Sequence, residues 1–105
     1  ASALDGVAMA LPALKRADKL QARAARVGFD WPDVAGPIAK VHEELAELAA
    51  APDDAARFEE MGDLLFAAAN IARKLGIDPE TALAAANRKF EARFAAMEAL
   101  AGGSI

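Results

Sequence analysis

KVHEELAELAAAPDDAARFEEMGDLLFAAANIARKLG, from Lys40 to Gly76, reads as two helical patterns joined by a short turn. Around its first half, Ile38, Val41, Leu45 and Leu48 recur three or four residues apart, the spacing of one helix face. Pro52 ends that pattern, and Asp53-Asp54 supply an N-cap and first-turn negative charge for the next helix. This second pattern runs to about Leu75, with Gly76 behind it. So short a link forces the two helices antiparallel, which is bundle topology.

The same rules extend in both directions. Upstream, the helix bearing Val41 opens near Asp33 or at Gly36-Pro37, because proline is tolerated in a first turn. Gly28-Phe29-Asp30-Trp31-Pro32-Asp33 is a loop and holds the only tryptophan. Before it, Leu11, Leu14, Ala17, Ala24 and Val27 share a face, predicting a first helix from about Leu11 to Val27 capped by Gly28. Downstream, Asp78-Pro79-Glu80 is a cap followed by proline at the first helical position. It opens a fourth helix that carries Leu83, Phe90, Phe94 and Met97 and stops at Gly102-Gly103. Strand alternation does not occur. The expectation is an all-α, four-helix bundle-type fold in one domain over residues 1–105, with an ordered core of about 11–101. Residues 1 to about 9 and the last four are expected to be frayed ends.

Composition narrows what such a bundle does. A chain of 105 residues buries only ~65% of its unfolded surface. Of its hydrophobic residues, 30 are alanine, a strong helix former that fills little core volume. Helices of this kind pack closely and often need a partner chain to complete burial. The absence of cysteine excludes a disulfide scaffold, a zinc ribbon and thiol catalysis. A single histidine excludes the usual two- and three-histidine metal sites. The net charge of -4 argues against nucleic acid or an anionic membrane as partner. No apolar run approaches the ~20 residues that span a bilayer. ASALDGVAMA lacks the basic and leucine-rich regions of a signal peptide, so the expected location is cytoplasmic. The chain begins without methionine, which leaves room for it to be part of something longer.

The chemistry-bearing residues sit on the central pair of helices. Glu44 and Glu47 are three residues apart on one, and Glu60 and Asp63 three apart on the other, so each pair shares a face. If these helices are antiparallel neighbours, four carboxylates converge, and such an all-oxygen cluster suits a hard cation such as Mg2+ or Mn2+. The competing reading is a solvated acidic face, with Lys40 four residues before Glu44 as its counter-ion. Leu45, Leu48, Leu64 and Leu65 flank the acids and place them at the border of the core. Gly62, costly inside a helix, points to close approach of another backbone or a ligand. Asn70 lies two turns beyond Asp63 on the same face. Lys89 and Arg93, four apart on the last helix, could serve one phosphate-bearing ligand or pair with surface acids. Phe29 and Trp31 would stack on a base or anchor a core or an interface, and His42 reads as a packed or solvated histidine.

Glu43-Glu44-x-x-Glu47, twelve residues, then Glu60-x-x-Asp63 resembles the EExxE…ExxD pattern of the all-α nucleoside triphosphate pyrophosphohydrolases, and is most similar to the MazG branch. GFDW at Gly28 to Trp31, EEMGDLLFAAANIARKLG at Glu59 to Gly76 and ANRKFEARF at Ala86 to Phe94 look like MazG sequence too, so the similarity covers roughly Leu11 to Ala101. The interval between Glu47 and Glu60 is short for the family, and the further helical segment or second domain copy of many members is not seen here. The resemblance implies a homodimer or tetramer whose active site is completed by dimerisation. It implies Mg2+-dependent hydrolysis, Mn2+ being a possible substitute, of NTPs or dNTPs to monophosphate and pyrophosphate, a housecleaning activity. By matching position, Glu44, Glu47, Glu60 and Asp63 would be metal ligands and Glu43 would orient or deprotonate the attacking water. Asn70, Lys89, Arg93 and Lys19 would contact substrate. The alternatives are a narrower dUTP or dCTP pyrophosphatase and an inactive helical nucleotide-binding or oligomerisation module.

Overall fold

The computed structural model describes residues 1–103, so the last two positions of the expected C-terminal fraying lie outside the described residues. Four helices follow one another: α1 (Ala13–Ala25), α2 (Ala35–Ala50), α3 (Asp54–Lys74) and α4 (Pro79–Leu100). No strand occurs among the described residues. Helix starts follow the predicted caps. Asp53 accepts the Ala56 N–H at 2.9 Å. Asp78 accepts the Glu80 N–H at 3.2 Å and the Thr81 hydroxyl at 2.7 Å, with Pro79 in the first turn. At the C-terminal ends of α1 and α3 the Phe29 N–H reaches back to the Ala24 carbonyl, and the Ile77 N–H to that of Ala72. That wrap needs a left-handed residue, supplied by Gly28 at φ +89° and Gly76 at φ +72°. Arg26 and Val27 belong to this turn, so α1 ends two residues before the predicted position.

α3 is the spine. α1 and α2 both pack on it, while the backbones of α1 and α2 stay out of contact with each other. The hydrophobic side chains fully covered on α3 are Ala67 at 6% exposure and Ala69 at 1%, small enough for close helix approach. Pro37, in the first turn of α2, is also fully buried. A groove results, with α3 as floor and α1 and α2 as walls. The α1–α2 loop closes one end of it. Arg73 and Lys74 of α3 both hold the Asp30 carboxylate, and Lys74 Nζ donates to the Trp31 carbonyl at 2.6 Å. The Arg73 guanidinium holds the Asp30 carboxyl down at about 2. The Trp31 ring lies so close over Gly36 that a Cβ there would stand 2.3 Å from its Cε3. Glycine at 36 is thus a requirement of that contact.

Two expectations need correction within one chain. The apolar stripe on α2 is out of phase with burial: Ile38 and Leu45 are exposed, and Pro37 and Glu44 face inward. No other part of this chain approaches Gly62, because a Cβ there meets nothing of it within 4 Å. Accordingly Gly62→Ala should raise unfolding free energy by about 1 kcal/mol, the helix-propensity difference, measured as a higher denaturant midpoint. The N-terminal residues form turns, with the Ser2 N–H on the Asp5 carboxylate at 2.8 Å and the Arg23 guanidinium donating to the Asp5 carbonyl.

α4 leaves the bundle incomplete within one chain. It meets α1 and α3 lightly and α2 not at all. Leu83, Phe90, Phe94 and Met97 are on the positions the pattern predicted, yet all are exposed, Phe90 at 67%. The Phe90 and Phe94 rings stack on each other with centroids 6.0 Å apart. The radius of gyration is 17.4 Å, against about 13 Å for a compact chain of this length.

Candidate functional site

The antiparallel pairing of α2 and α3 brings the predicted acids together. Carboxylate oxygens of Glu44, Glu60 and Asp63 all lie within 4.8 Å of one another, as do those of Glu43, Glu44 and Glu47. Glu44 belongs to both groups and is only 3% exposed. Lys40, one turn earlier, pairs with Glu44 at 3.2 Å and Glu43 at 3.3 Å. The counter-ion reading and the cluster reading are therefore both realised, and Lys40 neutralises only one edge. Oε2 of Glu44 and Oε2 of Glu60 are buried without any hydrogen-bond partner. Unpaired buried carboxylate oxygens are costly, so this set calls for a positive occupant.

Without one, a proton fills the role. Contact with Glu44 and then Glu47, together with burial, pushes the Glu60 carboxyl up from 4.5 to about 7. Glu44 moves the opposite way, held below its ordinary value first by the hydrogen bond from Glu60. A carboxyl that binds its proton more tightly folded than unfolded stabilises the fold fully below its unfolded value, and this contribution vanishes as pH rises through the folded value. Hence the Glu60 contribution in EDTA is complete below about 4.5 and lost on passing about 7. The Glu44 contribution has the reverse sign and fades in acid. Melting temperatures measured in EDTA should fall between pH 5 and 8 in the native chain, roughly the interval bounded by these values, and Glu60→Gln should flatten that slope.

Beside the acids the groove opens into a cavity of about 780 Å³. Its lining includes the polar Lys40, Glu44, Asp63, Asn70 and Arg73 and the apolar Leu20, Ala24, Phe29, Trp31, Pro37 and Phe66. Asn70 stands where predicted, its Oδ1 accepting from Arg73 Nε at 2.9 Å. Trp31 and Phe29 line the cavity rather than a core. Lys19 does not share this cavity; it borders a separate one of about 300 Å³ with Arg23 and Arg26. Lys89 and Arg93 lie on the exposed length of α4 and line neither cavity. His42 is exposed.

Two residues of the cavity escaped sequence reasoning. Arg73 reads as an ordinary last-turn cation, although it ties Asn70 to Asp30. Gln21 is 7% exposed and lines the cavity, with Nε2 donating to the Phe66 carbonyl at 2.9 Å. Its signal was in the chain: Leu14, Ala17, Gln21 and Ala24 keep the spacing of one face, and a glutamine interrupts it.

A sequence-family model described as dATP/dGTP pyrophosphohydrolase matches residues 21–97, which hold the acids and most of the cavity lining. The chain is 51% identical over 102 residues to the nucleoside triphosphate pyrophosphohydrolase of Escherichia coli K12, covering 92% of this chain and 39% of that protein. It is 50% identical over 90 residues to the nucleoside triphosphate pyrophosphohydrolase/pyrophosphatase MazG of Thermotoga maritima, covering 86% of this chain and 35% of that one. The chain thus spans less than half the length of the curated relatives it matches.

Proposed function

The chain belongs to the MazG-like nucleoside triphosphate pyrophosphohydrolase family, and from that premise we propose that it hydrolyses NTPs and dNTPs to a nucleoside monophosphate and pyrophosphate with Mg2+. The observation that carries this reading is the Glu44–Glu60–Asp63 cluster, with its two orphaned buried oxygens, beside the cavity that Glu44 and Asp63 line. Its donor set is all oxygen, which fits a hard divalent ion, with Mn2+ as a possible substitute. Glu44, Glu47, Glu60 and Asp63 would hold it. When bound, such an ion offsets the negative charge that would otherwise repel a triphosphate and lowers the pKa of water.

The remaining roles fall to the chain's own groups. Glu43, exposed beside the cluster, would orient the attacking water and take its proton. The water oxygen bonds to phosphorus, the α–β anhydride bridge opens, and pyrophosphate departs with the bridge's electron pair. Asn70, in the cavity lining, would orient the substrate. Lys89, Arg93 and Lys19 would contact substrate only where assembly brings them to a cavity they do not line in one chain. A homodimer or tetramer is accordingly part of this reading, supported by the uncovered apolar face of α4 and the elongated shape. No helix among the described residues is long and apolar enough to cross a membrane. The cytoplasm, where nucleotide pools are cleaned, is the compartment this activity calls for.

The test is pyrophosphate release from a panel of NTPs and dNTPs, with Mg2+ and with EDTA. Metal-dependent release with a monophosphate product is expected. No release from any nucleotide by folded protein would overturn the reading in favour of a binding module, and release confined to dUTP or dCTP would narrow it.

A further inference from the structure

Arg16, Lys19, Arg23 and Arg26 fall three or four residues apart, so they share one face of α1. Elsewhere the chain neutralises its cations: Lys15, Lys40, Arg57, Arg73 and Lys74 each pair with a carboxylate. Among the described residues, none of the four on this face does so. Arg16 donates to the Met9 sulfur at 3.1 Å, and its Nε is buried without a partner. Lys19, Arg23 and Arg26 line the smaller cavity of about 300 Å³, together with Gly6, Val7 and Ala8 of the N-terminal segment, and no carboxylate lines it. Arg23 is held in place there. Its guanidinium donates to the Asp5 carbonyl and lies against Gly6, where a Cβ would stand 3.4 Å from Nη2. A cation fixed beforehand loses less freedom when an anion arrives. This cavity shares no lining residue with the one beside the acids, to which α1 gives Leu20, Gln21 and Ala24 instead.

We propose that Lys19, Arg23 and Arg26 form a second anion site, which takes a diphosphate or triphosphate group without a metal ion. Cations on successive turns answer several negative charges at once, which a polyphosphate supplies and a single carboxylate does not. Lysine meets phosphate as a point charge, and the arginine forks each donate to two oxygens together. The cavity has room for roughly ten waters at the ~30 Å³ each takes in the liquid, enough for a diphosphate. At the acids the same ligand would need a bound cation to offset repulsion, whereas here the side chains supply the positive charge. The inference goes beyond the hydrolysis proposed above and does not depend on it.

The experiment is calorimetric titration of the full chain with inorganic pyrophosphate and inorganic triphosphate in EDTA, at low and moderate salt. One anion per chain should bind, and more weakly as salt rises. Lys19→Gln combined with Arg26→Gln should weaken binding at least about tenfold, because each hydrogen bond to a charged group is worth that much or more. Both side chains are exposed and make no hydrogen bond among the described residues, so this variant should fold. Glu60→Gln should bind both anions as the native chain does, which separates this site from the acids. In EDTA dATP should bind no more tightly than inorganic triphosphate, and a clear gain from the nucleoside would overturn a site that reads phosphate alone. No binding in EDTA, or binding that survives the Lys19 and Arg26 changes, would overturn the proposal. So would binding lost through Glu60→Gln, or through Lys89→Gln with Arg93→Gln in place of the α1 pair.

Discussion

Glu60→Gln should abolish pyrophosphate release, lowering kcat/KM by on the order of 10³-fold or more, while leaving the helices intact. The glutamine keeps the shape of the protonated acid and removes the charge needed to hold a cation, a loss at least comparable with that of one transition-state electrostatic contact. Two further readouts identify the cause. Mg2+ should raise the melting temperature of the native chain and not that of the variant, because a ligand stabilises only a fold that binds it. In EDTA near pH 8 the variant should melt no lower than the native chain, since above about 7 the native cluster carries the charge that Glu60 resists. Activity retained within tenfold would remove Glu60 from the metal site. Collapse of helix content would make the acid structural.

Phe90→Asp should convert the assembly to monomers. Phe90 is 67% exposed on a helix that its own chain barely covers. Burying a phenylalanine side chain is worth roughly 1.5–3 kcal/mol. A two-fold interface holds that residue twice, so the substitution weakens association by about 10³-fold. Sedimentation at micromolar concentration reads the change directly. Pyrophosphate release should fall in parallel if Lys89 and Arg93 reach a cavity across the interface. A native chain that sediments as a monomer, or a variant that still associates, would show that α4 serves another purpose.

Local signals carried most of the fold. Asp53, Asp78 and Pro79 begin helices where capping chemistry says they should, and Gly28 and Gly76 end them by adopting a conformation that other residues resist. The convergence of Glu44, Glu60 and Asp63 was legible because helix spacing and a short turn leave little freedom in how α2 meets α3. Burial was harder to read. In a chain with 30 alanines, the residues that touch are small, and periodicity of large side chains marks surfaces left for another molecule as readily as a core. That is why the α2 stripe was misphased, and why α4 has the right pattern but no cover. Gln21 was missed because face spacing was traced through apolar residues alone, whereas the polar interruption carried the information.

The spine arrangement of α3 has a mechanical corollary. The backbones of α1 and α2 each lean on α3 and not on each other, like two jaws set on a common bar. Separating them sacrifices no backbone packing between the jaws, and the restraints on their gap include the clasp of Asp30 on Arg73 and Lys74 and the Gln21–Phe66 hydrogen bond. The gape of the cleft is therefore adjustable at the cost of a few exchangeable polar contacts, while the acids on α2 and α3 keep their register. Ligands of different girth would then meet the same jaws without disturbing the acids at their base.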